Sequence, residues 1–191
     1  SQLSNSERRL DSDLLRTQKN EMDMLSFNAD AIKNIGYNDK LQYGIEAYTN
    51  ELSSSAYATN LNDDNRLVTA TTYPSGGSQL SSFSAYLNLQ NQLNDRLIFH
   101  SGLRYSYTDL QADLAGSSFI LLPFNSIDQQ YSALTGNLGM VYRPDTSWKL
   151  STVLSTGFRP PNIDDVTRTE VLSSQFLSFP NAGLEPELSY N

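Results

Sequence analysis

The stretch "SSFSAYLNLQNQLNDRLIFHSGLRYSY", residues 81–107, decides how this chain folds. In its first half Phe83, Ala85, Leu87 and Leu89 fall on one side of a period of two. Ser82, Ser84, Asn88 and Gln90 fall on the other, with Tyr86 among them. In its second half Leu97, Phe99, Leu103, Tyr105 and Tyr107 share a side, opposite His100, Gly102, Arg104 and Ser106, with Ile98 the exception. Strict alternation is the mark of a strand with one apolar and one polar face. The intervening "QLNDR", 92–96, has room only for a tight turn, so the two halves form an antiparallel hairpin.

The same template repeats outward. Leu25, Phe27, Ala29 and Ala31 alternate with Ser26, Asn28 and Asp30; Leu41, Tyr43, Ile45 and Ala47 alternate with Gln42, Gly44 and Glu46. Toward the C-terminus, Leu134, Leu138, Met140 and Tyr142 oppose Thr135, Asn137 and Gly139, and Trp148, Leu150, Leu154 and Phe158 oppose Lys149, Ser151, Ser155 and Gly157. The pattern predicts six strands of about a dozen residues each, with a seventh beginning near Glu187. Soluble strands average about 5–6 residues, whereas membrane-crossing strands need ~9–11.

Connections alternate in length. Those at 34–40, 92–96 and 143–147 are brief; those at 59–80, 111–130 and 160–185 are long. Brief turns on one side and extended loops on the other characterise outer-membrane barrels. Aromatic rings agree with this. Tyr142 and Trp148 flank one short turn, Tyr37 and Tyr43 stand beside another, and Tyr48, Tyr57, Tyr105 and Tyr107 lie toward the long-loop ends. Tyr43, Tyr105, Tyr142 and Trp148 are thus expected at the two water–hydrocarbon boundaries, with ordinary core or edge packing as the plainer alternative.

Composition narrows the classes. Apolar residues are 38% and charged residues 18%, both below the globular averages of roughly 45–50% and 25%. Ser, Thr, Asn, Gln and Tyr fill the gap, as a wet polar face requires. A net charge of −8 argues against a nucleic-acid partner. Without cysteine there is no disulfide framework and no cysteine-based metal or nucleophile site. One histidine and no triad or ligand-like spacing give no catalytic residue, no metal site and no cofactor. No apolar run approaches the ~18 residues of a membrane helix, which leaves barrels untouched.

The segment "STGFRPPNIDDV", 155–166, then carries a resemblance. A strand ends at Arg159, because Pro160 and Pro161 cannot donate to a ladder. Gly157, Phe158, Arg159, Pro160, Pro161 and Asn162 resemble the "GFRxPN" segment of TonB-dependent receptors, and Leu184, Pro186 and Glu187 in "LEPELS" resemble that family's next strand opening. "NLGMVYRPDTSWKLSTVLSTGF" is similar to its preceding hairpin. The likeness is specific over 131–191 and generic over 1–130. It implies an all-β, antiparallel up-and-down meander: a slice of six to seven strands from the middle of a barrel of about 22 strands. On that implication residues 1–191 are one barrel fragment of a longer chain, with the plug domain, the TonB box and the other strands lying elsewhere. The slice leaves two edges to be paired, and so is expected to be stable only in a larger assembly or in detergent.

The resemblance further implies a receptor and transporter, not an enzyme, in the bacterial outer membrane. Its cargo would be an iron chelate, a cobalamin or an oligosaccharide. Its partners would be the TonB complex through an N-terminal region, outer-membrane lipid and a surface lipoprotein. In the long loops Arg66, Tyr73, Phe119, Phe124, Arg159 and Asn162 are the candidate cargo contacts. The "FILLPF" run, Phe119 to Phe124, can grip an apolar ligand or simply pack on neighbouring loops. Arg66, Arg104 and Arg159 suit an anionic chelate or nearby acids equally, and Asp63-Asp64 and Asp164-Asp165 suit Ca²⁺ or plain solvation. His100 falls on the polar face, where a structural role is the simpler reading. The alternatives are another outer-membrane barrel, such as a porin or fatty-acid channel, and a secreted β-sandwich binding module. The sandwich would press Leu87, Leu103, Leu138 and Leu154 into a sealed centre.

Overall fold

Alternating strands joined by tight turns have one low-energy arrangement, each paired with its sequence neighbour, and the computed structural model has it. Residues 2–11, 14–114, 124–168, 170–173, 176–178 and 180–191 are described. The strands are β1 (Gln2–Asp11), β2 (Leu14–Asn34), β3 (Lys40–Asn60), β4 (Arg66–Val68), β5 (Ser78–Asn94), β6 (Leu97–Asp113), β7 (Ser126–Tyr142) and β8 (Leu150–Arg159). A short helix α1 (Ile163–Thr167), strands β9 (Glu170–Ser173) and β10 (Phe176–Ser178), and β11 (Glu187–Tyr190) follow. One sheet runs β1-β2-β3-β5-β6-β7-β8-β11, all neighbours antiparallel, with β4 beside β3. β1 and β11 end the path at opposite sides, so the sheet is not closed.

All seven expected strands are present. The alternation missed β1, β4 and the β9–β10 pair, and underestimated length: β2 and β3 have 21 residues each, and β5, β6 and β7 have 17. The rule of alternating short and long connections has one exception. β1 ends at Asp11 and β2 begins at Leu14, paired with each other at the same end as the long loops.

Register places like with like. Ala31, Tyr43, Leu87, Leu103 and Gly136 form one row across the sheet, and Ala29, Ile45, Ala85, Tyr105 and Leu134 form the next. Leu87, Leu103, Leu138 and Leu154 are 45%, 56%, 53% and 66% exposed. Among the described residues no second sheet packs on them, so the sandwich reading fails. On β6 this apolar face runs from Leu97, opposite Tyr142, to Tyr107, opposite Phe83. Ten residue steps at ~3.4 Å each make about 34 Å of strand, or about 26 Å of height at a tilt of ~40°. Outer-membrane barrels carry an apolar band of ~25 Å.

The buried core lies beyond that band, at the loop end, and on the other face. Leu80, Leu110, Ala112 and Ile127 lie on the face of Ser82, Ser84 and Arg104, in rows nearer the loops. Ile163 and Val166 of α1 cover them, with Leu114 alongside and Leu52, Phe124 and Leu184 packed around. The described parts of the long connections therefore fold back across the polar face.

Candidate functional site

Polar side chains cluster in two regions of the polar face: the wall along the middle of the strands, and the loop layer above it. In the wall, Glu46 accepts from the Arg104 guanidinium, and Asp30 accepts from the Tyr86 hydroxyl. Arg104 also stands 6.0 Å from the Tyr86 ring centre, where a cation meets the negative face of the ring. Glu46, Tyr86 and Arg104 with Asn88, Thr135 and Asn137 line an open cleft of about 380 Å³. Gly44 makes room for them. A Cβ there would lie 2.6 Å from Asp30 Oδ1 and 2.7 Å from the Ala29 carbonyl, a clash that backbone cannot relieve. His100 shares this face, exposed, opposite Gln90 and Gly139.

The loop layer begins where β8 stops. With Pro160 and Pro161 ending the ladder, Asn162 takes an extended conformation and caps α1. Its side-chain oxygen accepts from the Asp165 amide at 2.8 Å, while Asp165 accepts from the Asn162 amide at 3.2 Å. This reciprocal box satisfies donors that a five-residue helix would leave bare. Asp165 also accepts from Arg159 at 3.0 Å, and Arg159 reaches Glu187 with its other terminal nitrogen at 2.9 Å. Glu187 stands directly opposite Arg159 in the β8–β11 register. Next to it, a Cβ on Gly157 would fall 2.5 Å from Ser189 Oγ, so glycine lets the two strands close. The "GFRPPN" and "LEPE" segments are thus halves of one junction.

The connection before β5 joins the same layer. The Ala70 carbonyl accepts from Arg16 at 2.7 Å, Thr72 accepts from Gln18 at 3.0 Å, and the Tyr73 hydroxyl donates to Asp164 at 2.7 Å. Asp164 also pairs with Arg168 at 3.5 Å. Farther along, the Leu184 carbonyl accepts from Tyr131 at 2.9 Å, and the Ala182 carbonyl accepts from Gln129.

Tyr73, Arg159 and Asn162, separated in sequence, therefore converge on α1. Phe124 is half-buried against the core rather than held out to solvent. Arg66 stands elsewhere, on β4, with its guanidinium 5.1 Å over the Tyr57 ring. Phe119 lies outside the described residues. Leu184 packs on the core, and Pro186 precedes the β8–β11 pairing. Tyr43, Tyr105, Tyr142 and Trp148 are exposed at 44%, 45%, 39% and 65%. Tyr48 is on the polar face, in the row of Ser26 and Ser82, so it belongs to no outward aromatic ring. The Asp63 side chain accepts from the Asn65 amide at 3.1 Å, where Asp64 takes a positive φ of 54°, which gives this acidic pair a turn-forming role.

Sequence reasoning missed the inward anchor. Leu80, Leu110, Ala112 and Ile127 carry the parity of the polar face, and apolar residues at that parity beyond the hydrocarbon band were the available signal. It also missed an acidic band on the opposite face. Past the apolar rows the outward positions become Asp23, Glu51, Gln79, Gln111 and Asp128. They line a cleft of about 510 Å³ with Glu21 and Asp113.

An open meander with a hydrocarbon-height apolar face, a hydrogen-bonding opposite face and loops folded over one mouth defines a wall segment of an outer-membrane-type β-barrel. A family model described as TonB dependent receptor-like, beta-barrel matches residues 2–191, and the chain belongs to that family. Its fold is similar to that of the ferric yersiniabactin uptake receptor FyuA from Yersinia pestis, with a TM-score of 0.60 and 16% identity over 98% of this chain and 27% of that one. It is also similar to the Serratia marcescens hemophore receptor HasR, solved as a double mutant with its hemophore HasA and heme, at 0.62 and 18% over 94% of this chain and 30% of that one. The chain thus spans less than a third of either structure. No curated protein matches the sequence. Barrels of this family reside in the bacterial outer membrane, and its members are receptors and transporters.

Proposed function

We propose that this chain forms part of the barrel of a TonB-dependent receptor in the bacterial outer membrane. It binds a scarce nutrient at its loop end and admits it with energy supplied through TonB. The observation that carries this reading is the family match over residues 2–191 on a sheet whose apolar face has hydrocarbon height. Cargo is an iron chelate, a cobalamin or an oligosaccharide. The uptake of ferric yersiniabactin by one structural neighbour and the heme bound in the other place iron carriers first in the order of testing. Arg66, Tyr73, Phe119, Phe124, Arg159 and Asn162 are the proposed cargo contacts, and a surface lipoprotein is a proposed partner.

Deleting the gene in its host and supplying iron, cobalamin or glycan from one source at a time tests this. Growth should fail on one source, and disruption of TonB should abolish uptake of the same compound. Uptake that persists at full rate without TonB would point instead to a passive channel.

A further inference from the structure

Arg159 joins three elements at the junction of the two motif halves. It ends β8, pairs with Asp165 in the first turn of α1, and pairs with Glu187 at the first residue of β11. A five-residue helix does not hold itself together in water. α1 is kept by two apolar contacts, Ile163 and Val166, and by its polar ties.

We propose that Arg159 is a clamp that makes α1 and the β8–β11 seam one mechanical unit, holding the connection after β8 folded over the polar face. Guanidinium geometry suits this. Its two terminal nitrogens point along separate directions and serve two carboxylates at once, which a lysine ammonium on a flexible stem does poorly. Asp165 is committed twice, to the clamp and to the helix cap, so release of Arg159 loosens the cap as well. The helix end of the junction sits over Leu110 and Ile127. This inference rests on the geometry of the junction, and its readout in cargo-free receptor is separate from the proposed cargo contact of Arg159.

Hydrogen exchange read by mass spectrometry tests it, on the receptor as its host makes it, purified in detergent. Arg159→Ala should raise exchange about three- to tenfold in both 162–168 and 187–191, the scale of a pair of exposed ion pairs. β5 should not change. Arg159→Glu with Glu187→Arg should restore 187–191 but leave 162–168 fast, because the new glutamate then faces Asp165. Should Arg159→Ala fail to insert, Glu187→Ala, which leaves the helix cap intact, should speed both 187–191 and 162–168. A rise confined to one segment in Arg159→Ala, or a Glu187→Ala protein whose 162–168 exchanges like the parent, overturns the clamp.

Discussion

The same strands carry opposite polarity at their two ends. Along the middle of β5 and β6, Leu87, Leu103 and Tyr105 face outward, exposed, while Ser84, Tyr86 and Arg104 line the other face. A few residues further, the outward positions are Asp109, Gln111 and Gln79, and the other face carries Leu80 and Leu110, buried to 6% and 0%. Backbone geometry is continuous through the change. In the proposed outer-membrane setting the difference lies in what each face meets: hydrocarbon outside the lower part, the inward-folded connections inside the upper part. An apolar side chain at a given parity is therefore no guide to lipid without its height along the strand.

Four substitutions break or sharpen that contrast. The largest effect is expected from Leu110→Ala. Removing a fully buried side chain under α1 should cost ~2–5 kcal/mol of loop-layer stability, read as faster hydrogen exchange across 110–114 and 162–168 with the lower strands unaffected. Loss spread evenly over the whole sheet would mean that the upper core is not a separate unit. Next is Leu103→Arg, which places a charge at the centre of the outward apolar face and should cost ~2–4 kcal/mol in a bilayer. Gln111→Arg, on the same face but past the boundary, should cost only ~0–1 kcal/mol. Denaturant titrations of the receptor in lipid vesicles measure both, and equal costs would erase the proposed height of the membrane. Smallest is Asn162→Ala, which removes the cap of α1 for about 1 kcal/mol. It should speed exchange at 165–168 without moving β8, and a β8 that loosens as much as α1 would show the cap to be part of the strand pairing.

Strand identity, neighbour pairing and the outward set could be read from residues alone because each follows from a local period of two. Phe83 to Leu89 and Leu97 to Tyr107 declare their face whatever surrounds them. The family resemblance of residues 155–162 and 184–189 was legible for a related reason, since prolines after Arg159 and a glycine at 157 leave few backbone choices. β1 was not legible. Its run "QLSNSERRLD" shows no clean alternation, and its place comes from pairing with β2.

Periodicity along the chain thus determined the sheet, its order and its apolar side, because those depend on neighbours a few residues away. Contacts between residues far apart in sequence decided the rest. Tyr73 meets Asp164, Leu110 meets α1, and Arg159 joins Asp165 to Glu187. Loop-closure entropy is nearly indifferent to where a long connection lands. Its destination is fixed by which surface offers it apolar cover and unpaired polar partners, and that surface exists only once the strands have assembled.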